Sequence, residues 1–306
     1  MEATDKNNTL KISICICTRK RQDGLRNLLA SFDKMIVPPD TEVRIIIVEN
    51  DSENYSEEFI RDFSATSKLK TYYFLETKQG LVHARNRSVK EAGNCDFCCF
   101  TDDDETVSQE WLLELIQCQK EFDADGVAGP TYPLFTRQLP DFITSFHMPE
   151  NYPYGTVIES AFTGCLMLRK KWLDTIPGPF DERLNFTGGE DINLTYFISK
   201  AGGVIRYNPR AEAYETFSES RETVKYILRR AYRNANTGLY ARSLRGISNF
   251  RMKNLPRLIM RFGNGLLTAI PFYLIGGKNK LKGVVKIVNA VGGFHFILGR
   301  RNKFYK

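Results

Sequence analysis

The sequence predicts an α/β protein built on a doubly wound, mostly parallel sheet with helices on both faces. Three observations carry this expectation. Short continuous apolar runs alternate with segments of helical periodicity, the pattern of parallel strands joined by crossover helices. The runs lack the in–out alternation of a half-exposed sheet, so both faces of each strand are covered. Each early run also stops at a polar or charged loop, and such loops collect along the edge of an open sheet where ligands bind.

Residues 11–17 (KISICIC) are β-branched and cysteine-rich and read as a buried first strand, followed by the loop Thr18-Arg19-Lys20-Arg21. A helix over Asp23–Phe32 places Leu25, Leu28, Leu29 and Phe32 on one face, and Pro38-Pro39 breaks the chain after it. Val43–Val48 is a second buried strand, ending in Glu49-Asn50-Asp51-Ser52. A polar helix around Ser56–Phe63 and a third strand over Thr71–Leu75 follow. Gly80 and Leu81 open a helix through Ala92, and Asp96–Phe100 is the fourth strand.

That strand runs into Thr101-Asp102-Asp103-Asp104-Glu105. Adjacent carboxylates repel one another, so a shared cation is expected, and all-oxygen donors suit Mg²⁺ or Mn²⁺ with positions left open for phosphates. The plainer alternative is an acidic turn capping the helix that starts near Gln109. Trp111, Leu112, Leu115 and Ile116 mark that amphipathic helix. Asp125–Pro133 reads as a short strand and turn, and residues 134–156, rich in proline and aromatics, as a loop that lines an acceptor site or simply packs on the surface. Phe162–Leu168 is expected to be a strand, 177–180 a turn, Ile192–Lys200 a helix after Thr187-Gly188-Gly189-Glu190-Asp191, and Val204–Tyr207 the last short strand.

A chain of 306 residues with 42% hydrophobic content holds one large domain, or one with an appendage. Met1–Thr9 is polar and the first apolar run is a strand, so no secretory leader is expected. Seven cysteines then read as reduced and cytoplasmic; Cys95, Cys98 and Cys99 have a CxxC look without a second pair at zinc spacing, which favours buried structural thiols.

The net charge of +7 hides an asymmetry. Residues 223–306 hold 18 of the 43 Lys and Arg and none of the 36 Asp and Glu. We therefore expect a body over 1–221 and a basic helical region over 222–306, with Lys225, Arg229 and Arg233 on one helical stripe. Two uncharged runs, the 16 residues Phe262–Gly277 and the 13 residues Ile287–Gly299, fall short of the ~20 apolar residues a spanning helix needs. Beside so much positive charge they point to peripheral contact with an anionic membrane surface, on the inner face of the cell membrane; the alternative is a helical hairpin packed on the main domain.

Taken together, these stretches resemble glycosyltransferase family 2, with its GT-A fold, over about residues 11–215. Thr18 and Arg21 look like the family's Thr-x-x-Arg loop after the first strand. Glu49-Asn50-Asp51-Ser52 looks like its acidic loop, with Glu49 where Asp is usual. Gly80-Leu81-Val82-His83-Ala84-Arg85-Asn86 looks like its Gly-Leu-x-x-Ala-Arg-Asn run, Asp102-Asp103-Asp104 like its DxD motif, and Gly189-Glu190-Asp191 like its Glu-Asp motif. The resemblance implies an inverting transfer of a sugar from a nucleotide-diphosphate sugar to a hydroxyl of a glycan or lipid-linked saccharide, assisted by Mn²⁺ or Mg²⁺. It implies nucleotide-sugar contacts from Thr18, Arg21, Glu49, Asp51, Lys78, Arg85, Asp102 and Asp103, metal ligation by Asp104 with Asp102, and Asp191 as general base beside Glu190. The residues agree in type: a leaving diphosphate develops charge a divalent ion can offset, and an attacking hydroxyl needs a base. Arg85 and Lys78 have the simpler readings of a structural ion pair and a solvated loop residue, His83 that of a surface or core residue, and Glu190 that of a first-turn helix acid.

Two departures stand out. The family's late metal-binding His is missing from Ala213-Tyr214-Glu215-Thr216, where either Glu215 substitutes as an oxygen ligand or the metal lacks that ligand. The QxxRW motif of processive synthases is absent from the helix after Glu222, which argues for transfer of a single sugar.

Two other readings compete. Asp102-x-Asp104-x-Thr106 fits the D-x-D-x-T pattern of haloacid-dehalogenase-like phosphatases, with Asp102 as nucleophile, although that motif normally follows a domain's first strand. A non-enzymatic polyanion binder would act through the basic region; its long aliphatic runs argue for lipid and against nucleic acid.

Overall fold

The computed structural model describes residues 9–275 and 279–301. In chain order the elements are β1 (Leu10–Thr18), α1 (Gln22–Phe32), β2 (Thr41–Glu49), α2 (Glu57–Thr66), β3 (Lys70–Leu75), α3 (Leu81–Glu91), β4 (Phe97–Phe100), β5 (Glu105–Val107), α4 (Trp111–Phe122), β6 (Gly126–Ala128), β7 (Thr131–Leu134), α5 (Asp141–Thr144), β8 (Val157–Ile158), β9 (Leu166–Arg169), α6 (Lys170–Asp174), α7 (Glu190–Lys200), β10 (Ile205–Tyr207), β11 (Ala213–Thr216), α8 (Val224–Ser243), α9 (Phe250–Ile275) and α10 (Asn279–Ile297). They form two compact units. The first runs up to Leu134 and adds Pro149–Asn185 and Asp191–Thr216; the second comprises Phe135–Met148, Phe186–Glu190 and the chain from Phe217 on.

The first unit is the expected α/β body. Its main sheet has the order β3-β2-β1-β4-β9-β6-β10-β8. β1 lies between β2 and β4, parallel to both, with Ile14 opposite Ile45 on one side and Cys99 on the other. Apolar side chains on both faces of these strands are buried, which is why they read as unbroken apolar runs. Leu25, Leu28, Leu29 and Phe32 of α1 are buried on the expected face, and the Phe32 ring stacks on Trp111 of α4 at 6.2 Å.

Three expectations change beyond β4. The run Phe162–Leu168 is not all strand: Thr163–Cys165 form a 3₁₀ turn before β9. The Thr163 amide donates to Asp191 Oδ2 at 3.4 Å instead of to a ladder, and Gly164 packs so closely on Glu105 that an added Cβ would stand 2.4 Å from its Oε1. β9 then runs antiparallel to both β4 and β6, so the far half of the sheet is mixed. β10 is not the last strand, because β11 pairs with β5 and β7 in a separate three-stranded sheet. These strands have three or four residues, too short to show a period. The helix expected over Ile192–Lys200 begins two residues earlier, at Glu190.

In the second unit the Thr223 side chain caps α8 by accepting the Tyr226 amide at 3.1 Å. α10 packs on α8 and α9 through small residues. A Cβ on Gly292 would lie 2.3 Å from the Tyr232 carbonyl oxygen, one on Gly293 would lie 2.5 Å from Leu258, and Asn236 Nδ2 donates to the Gly292 carbonyl at 3.0 Å. The uncharged run Ile287–Gly299 is thus largely the packed limb of a helical hairpin. No helix among the described residues is long and apolar enough to cross a membrane. Gly276 and Gly277, the end of the other run, lie outside the described residues.

The segment 135–148, part of the expected acceptor-lining loop, belongs to this unit. His147 packs against Phe217 at 4.9 Å and Phe135 at 5.8 Å, and the Glu222 carboxylate accepts the Thr136 amide, the Thr136 hydroxyl and Arg137 Nε. The seven cysteines are free thiols, six of them buried.

Candidate active site

Because β1 pairs with both β2 and β4, the loops at their carboxyl ends meet. Asp103 ties them together. Its carboxylate accepts the Thr18 hydroxyl at 2.8 Å and Arg21 Nη1 at 2.9 Å. The same Arg21 nitrogen donates to Asp104 Oδ2 at 3.1 Å. Asp103 is buried, and that burial pushes its pKa up to about 6, against the pull of Arg21 and the Thr18 hydrogen bond. Gly24 lets α1 approach this loop; a Cβ there would lie 2.5 Å from the Asp103 carbonyl oxygen. Beside it opens a cleft of about 760 Å³ whose lining includes Lys20, Arg21, Tyr55, Asp104 and Thr216.

Arg85 is the second organising residue. It stands in the second turn of α3, whose start is fixed by Gly80 at φ +125°, a backbone state that side-chain-bearing residues rarely adopt. The Gly80 amide donates to Asn50 Oδ1 at 2.7 Å, and Asn185 Oδ1 accepts the Val82 amide at 3.1 Å. So anchored, the buried Arg85 brings Nη2 to 3.3 Å from Asp102 Oδ1, while the Asp102 side chain stays 44% exposed. Arg85 also acts on Asp191. Burial raises the pKa of Asp191 above the usual carboxylate range and the nearby Asp102 charge adds to the rise; Arg85, with the amides of Ile192 (2.7 Å) and Thr163, opposes it. Asp102, Arg85 and Asp191 therefore form one electrostatically linked group.

The other expected site residues divide into inward and outward ones. Glu49 is fully buried and committed to the protein: it accepts the Ser56 amide at 2.9 Å, fixing the start of α2, and the Tyr73 hydroxyl at 2.7 Å. Asp103 likewise points inward. Asp51 pairs with Arg19 at 3.3 Å and Lys20 at 3.4 Å, and the Ser52 amide, with these cations, holds its carboxylate below the usual range. Lys78 pairs with Glu182 at 3.2 Å on the surface, where His83 also approaches Glu182 at 3.5 Å. Glu190 is buried at the start of α7 and counted with the second unit.

Glu215 sits on β11 opposite Glu105. Among the described residues no group of three or more His, Cys, Asp or Glu side chains is arranged to hold a metal ion. The donors present still fit a hard divalent ion, because Mg²⁺-like sites are commonly one or two carboxylates plus substrate phosphates. Asp102 and Asp104 both keep carboxylate surface open, at 44% and 21% side-chain exposure.

Sequence reasoning passed over several residues that hold this arrangement. Glu105 is buried, and its Oε2 accepts the Thr101 hydroxyl at 2.7 Å and the Asp102 amide at 2.9 Å, setting the backbone from which Asp102 projects. It was visible as the fourth acid of the run, but nothing local marks it as buried. Asn50 and Asn185 lie in loops where amides are common.

Residues 13–176 match the family described as Glycosyl transferase family 2. Among curated proteins the chain is similar to Succinoglycan biosynthesis protein ExoM of Rhizobium meliloti (strain 1021), 28% identical over 240 residues, which is 76% of this chain and 75% of that protein. Among solved structures it is similar to the mannosyltransferase PcManGT from Pyrobaculum calidifontis in complex with GDP-Man and Mn²⁺, with a TM-score of 0.65 at 12% identity, covering 95% of this chain and 88% of that one. It is also similar to S. aureus TarS 1-349 in complex with UDP, with a TM-score of 0.54 at 14% identity, covering 95% and 92%. At these identities the structural likeness shows the fold.

Proposed function

The chain belongs to glycosyl transferase family 2 and is a glycosyltransferase; on that premise we propose that it moves a single sugar from a nucleoside-diphosphate sugar to a hydroxyl of a glycan or lipid-linked saccharide, inverting the anomeric centre. The observation that carries this reading is the linkage of Asp102 and Asp191 through Arg85 at the sheet's carboxyl edge. A donor-side carboxylate and a candidate base share one cation there.

In this reading Asp191 takes the proton of the acceptor hydroxyl as it attacks. A carboxylate with a raised pKa suits that task better than an ordinary one. The Arg85 charge opposes the rise that burial imposes on Asp191, and Arg85 holds Asp102 in place. Arg21 and Lys78 face the nucleotide and diphosphate and the largely buried Thr18 and Asp51 border it, while Glu49 and Asp103 hold the loops that carry them. Asp104 and Asp102 are the oxygen donors for Mn²⁺ or Mg²⁺, which when bound would offset the charge of the leaving diphosphate. The GDP-Man and Mn²⁺ in the PcManGT structure support this choice of donor and ion, and the role in ExoM's name supports a polysaccharide acceptor. Single transfer rests on the missing QxxRW. The acid-free basic region supports a place at an anionic membrane surface, where a lipid-linked acceptor would lie. The phosphatase reading loses ground to the family match, and its motif follows the fourth strand.

The test is a panel of UDP-, GDP- and dTDP-sugars incubated with the full-length protein and Mn²⁺, read by nucleotide release. Release from one donor, abolished by chelator and restored by excess Mn²⁺, is the expected result. Full activity in chelator would remove the metal from the scheme. Phosphate release from small phosphate esters without sugar transfer would revive the phosphatase reading.

A further inference from the structure

Helix α9 carries an apolar face that the second unit does not cover. Met252, Ile259, Met260, Leu266 and Leu267 are between 38% and 74% exposed, although each is a large hydrophobic side chain. Their spacing (i, i+7, i+8, i+14, i+15) confines them to an arc of about 120° at 3.6 residues per turn. Pro256 and Gly263 fall within the same arc, and it contains no charge. The opposite seam of the helix is the packed one: Leu258 is buried, and a Cβ on Gly265 would stand 2.7 Å from Ile287 of α10. Lys253 lies about 20° and Arg257 about 60° beyond one edge of the arc, and Arg261 stands further round, toward the packed seam. Arg242 of α8 is near Arg257 and Arg261, its pKa pulled down by burial and then by the Arg261 and Arg257 charges, so positive charge concentrates on this side of the helix.

We infer that this face of α9 seats in the headgroup and acyl boundary of an anionic bilayer, with Met252, Ile259, Met260 and Leu267 inserting and Lys253 and Arg257 meeting lipid phosphates. The inference rests on the membrane-surface location proposed above and moves the contact from the two uncharged runs to one helical face. Charge decides the occupant. A second copy docking face to face would set this basic margin against itself, and the chain from residue 223 on holds no acid to answer it. An anionic lipid surface answers both the apolar arc and its cationic edge. The uncharged run Ile287–Gly299 does not serve, because Ala290, Gly292, Gly293 and Phe296 are buried in the hairpin. Arg257, which interrupts the apolar sequence upstream of Phe262, and Lys253 before it stand toward one edge of the face, where a surface-lying helix places its cations.

The experiment is co-sedimentation of the full-length protein with phosphatidylglycerol-containing and pure phosphatidylcholine vesicles, at low and high salt. The wild type is expected to bind the anionic vesicles and to be released by salt. The triple variant Ile259→Gln, Met260→Gln, Leu267→Gln should lose more than about tenfold in partitioning. The pair Lys253→Gln, Arg257→Gln should lose most of the preference for anionic over neutral vesicles. All five positions are on the surface, so unchanged thermal unfolding is expected and checks the fold. Wild type that binds anionic vesicles with the triple variant binding equally well overturns this face and leaves the membrane reading standing. Wild type that ignores them at low salt overturns both. A wild-type dimer that ignores vesicles and is abolished by the triple variant assigns the face to a second copy and overturns the inference.

Discussion

Arg85 and Asp102 meet 3.3 Å apart with unequal surroundings: the arginine side chain is 6% exposed and the aspartate 44%. A buried cation is thus spent on a carboxylate that faces outward, and its field also reaches Asp191. Arg85→Met keeps the bulk and removes the charge. The pKa of Asp191 should then rise, because Arg85 opposes the rise that burial imposes. A base must be deprotonated to act, so the acid limb of the kcat/KM profile should move to higher pH. Activity should fall more on the acid side of the profile than on the alkaline side. A uniform loss at every pH would confine Arg85 to donor binding.

Neighbouring acids should respond in opposite ways. Asp103 accepts from Thr18 and Arg21 inside the protein, and Asp103→Ala leaves both donors without that partner. Removing one member of a buried hydrogen-bonded set costs about 1–3 kcal/mol, to be read by urea unfolding. Asp104 opens to the cleft, so Asp104→Ala should leave the unfolding midpoint nearly unchanged and raise the Mn²⁺ concentration for half-maximal activity at least about tenfold. Equal stability losses in the two variants would contradict this division.

This division was not legible in the sequence, where Asp102, Asp103, Asp104 and Glu105 are equivalent members of an acidic run. The strand before them was plain, because an unbroken apolar stretch can only be buried. Which acid turns inward depends on Thr18 and Arg21, more than 80 residues away in the chain, and on β1 pairing with β4. Glu49 shows the same: its motif position was readable, its burial under Ser56 and Tyr73 was not. The main sheet's parallel half followed from periodicity, whereas β5, β7 and β11 are held by cross-chain pairing that no local pattern announces. In the basic region, counting charges identified the two uncharged runs, but the packing of α10 buried much of one of them.

The second unit should carry an acid-sensitive stability of its own. His147 is buried among Phe135, Phe217 and Tyr226, and burial with the Arg230 and Arg221 charges pushes its pKa down to about 4. A base whose folded pKa lies below its unfolded value of about 6.5 binds its proton better when unfolded. Its contribution is complete above pH 6.5 and is lost as pH falls toward 4, by at most about 3 kcal/mol. Thermal unfolding of the wild type and His147→Phe across pH 4–7 should show the gap between them narrowing in the variant's favour on the acid side. A gap independent of pH would mean that His147 titrates normally.

The sharpest test of the proposed chemistry is at Asp191. A hydroxyl is a poor nucleophile near neutral pH, so its proton must leave during attack, and a positioned base contributes typically about 10²–10⁴-fold. Asp191→Asn keeps size and can still accept the Ile192 amide through its one oxygen, so the start of α7 should persist, while the longer bond from the Thr163 amide, made to the other carboxylate oxygen, is lost. Donor binding should survive while turnover falls within that range. Glu190→Gln should cost less in turnover if Glu190 chiefly supports the helix start, and should show in thermal stability instead, since its side chain is buried. The product supplies a check independent of rates, because a single displacement inverts the anomeric configuration of the donor. Asp191→Asn turning over at near wild-type rate, or a product that retains the donor's configuration, would reject Asp191 as the base of a direct displacement.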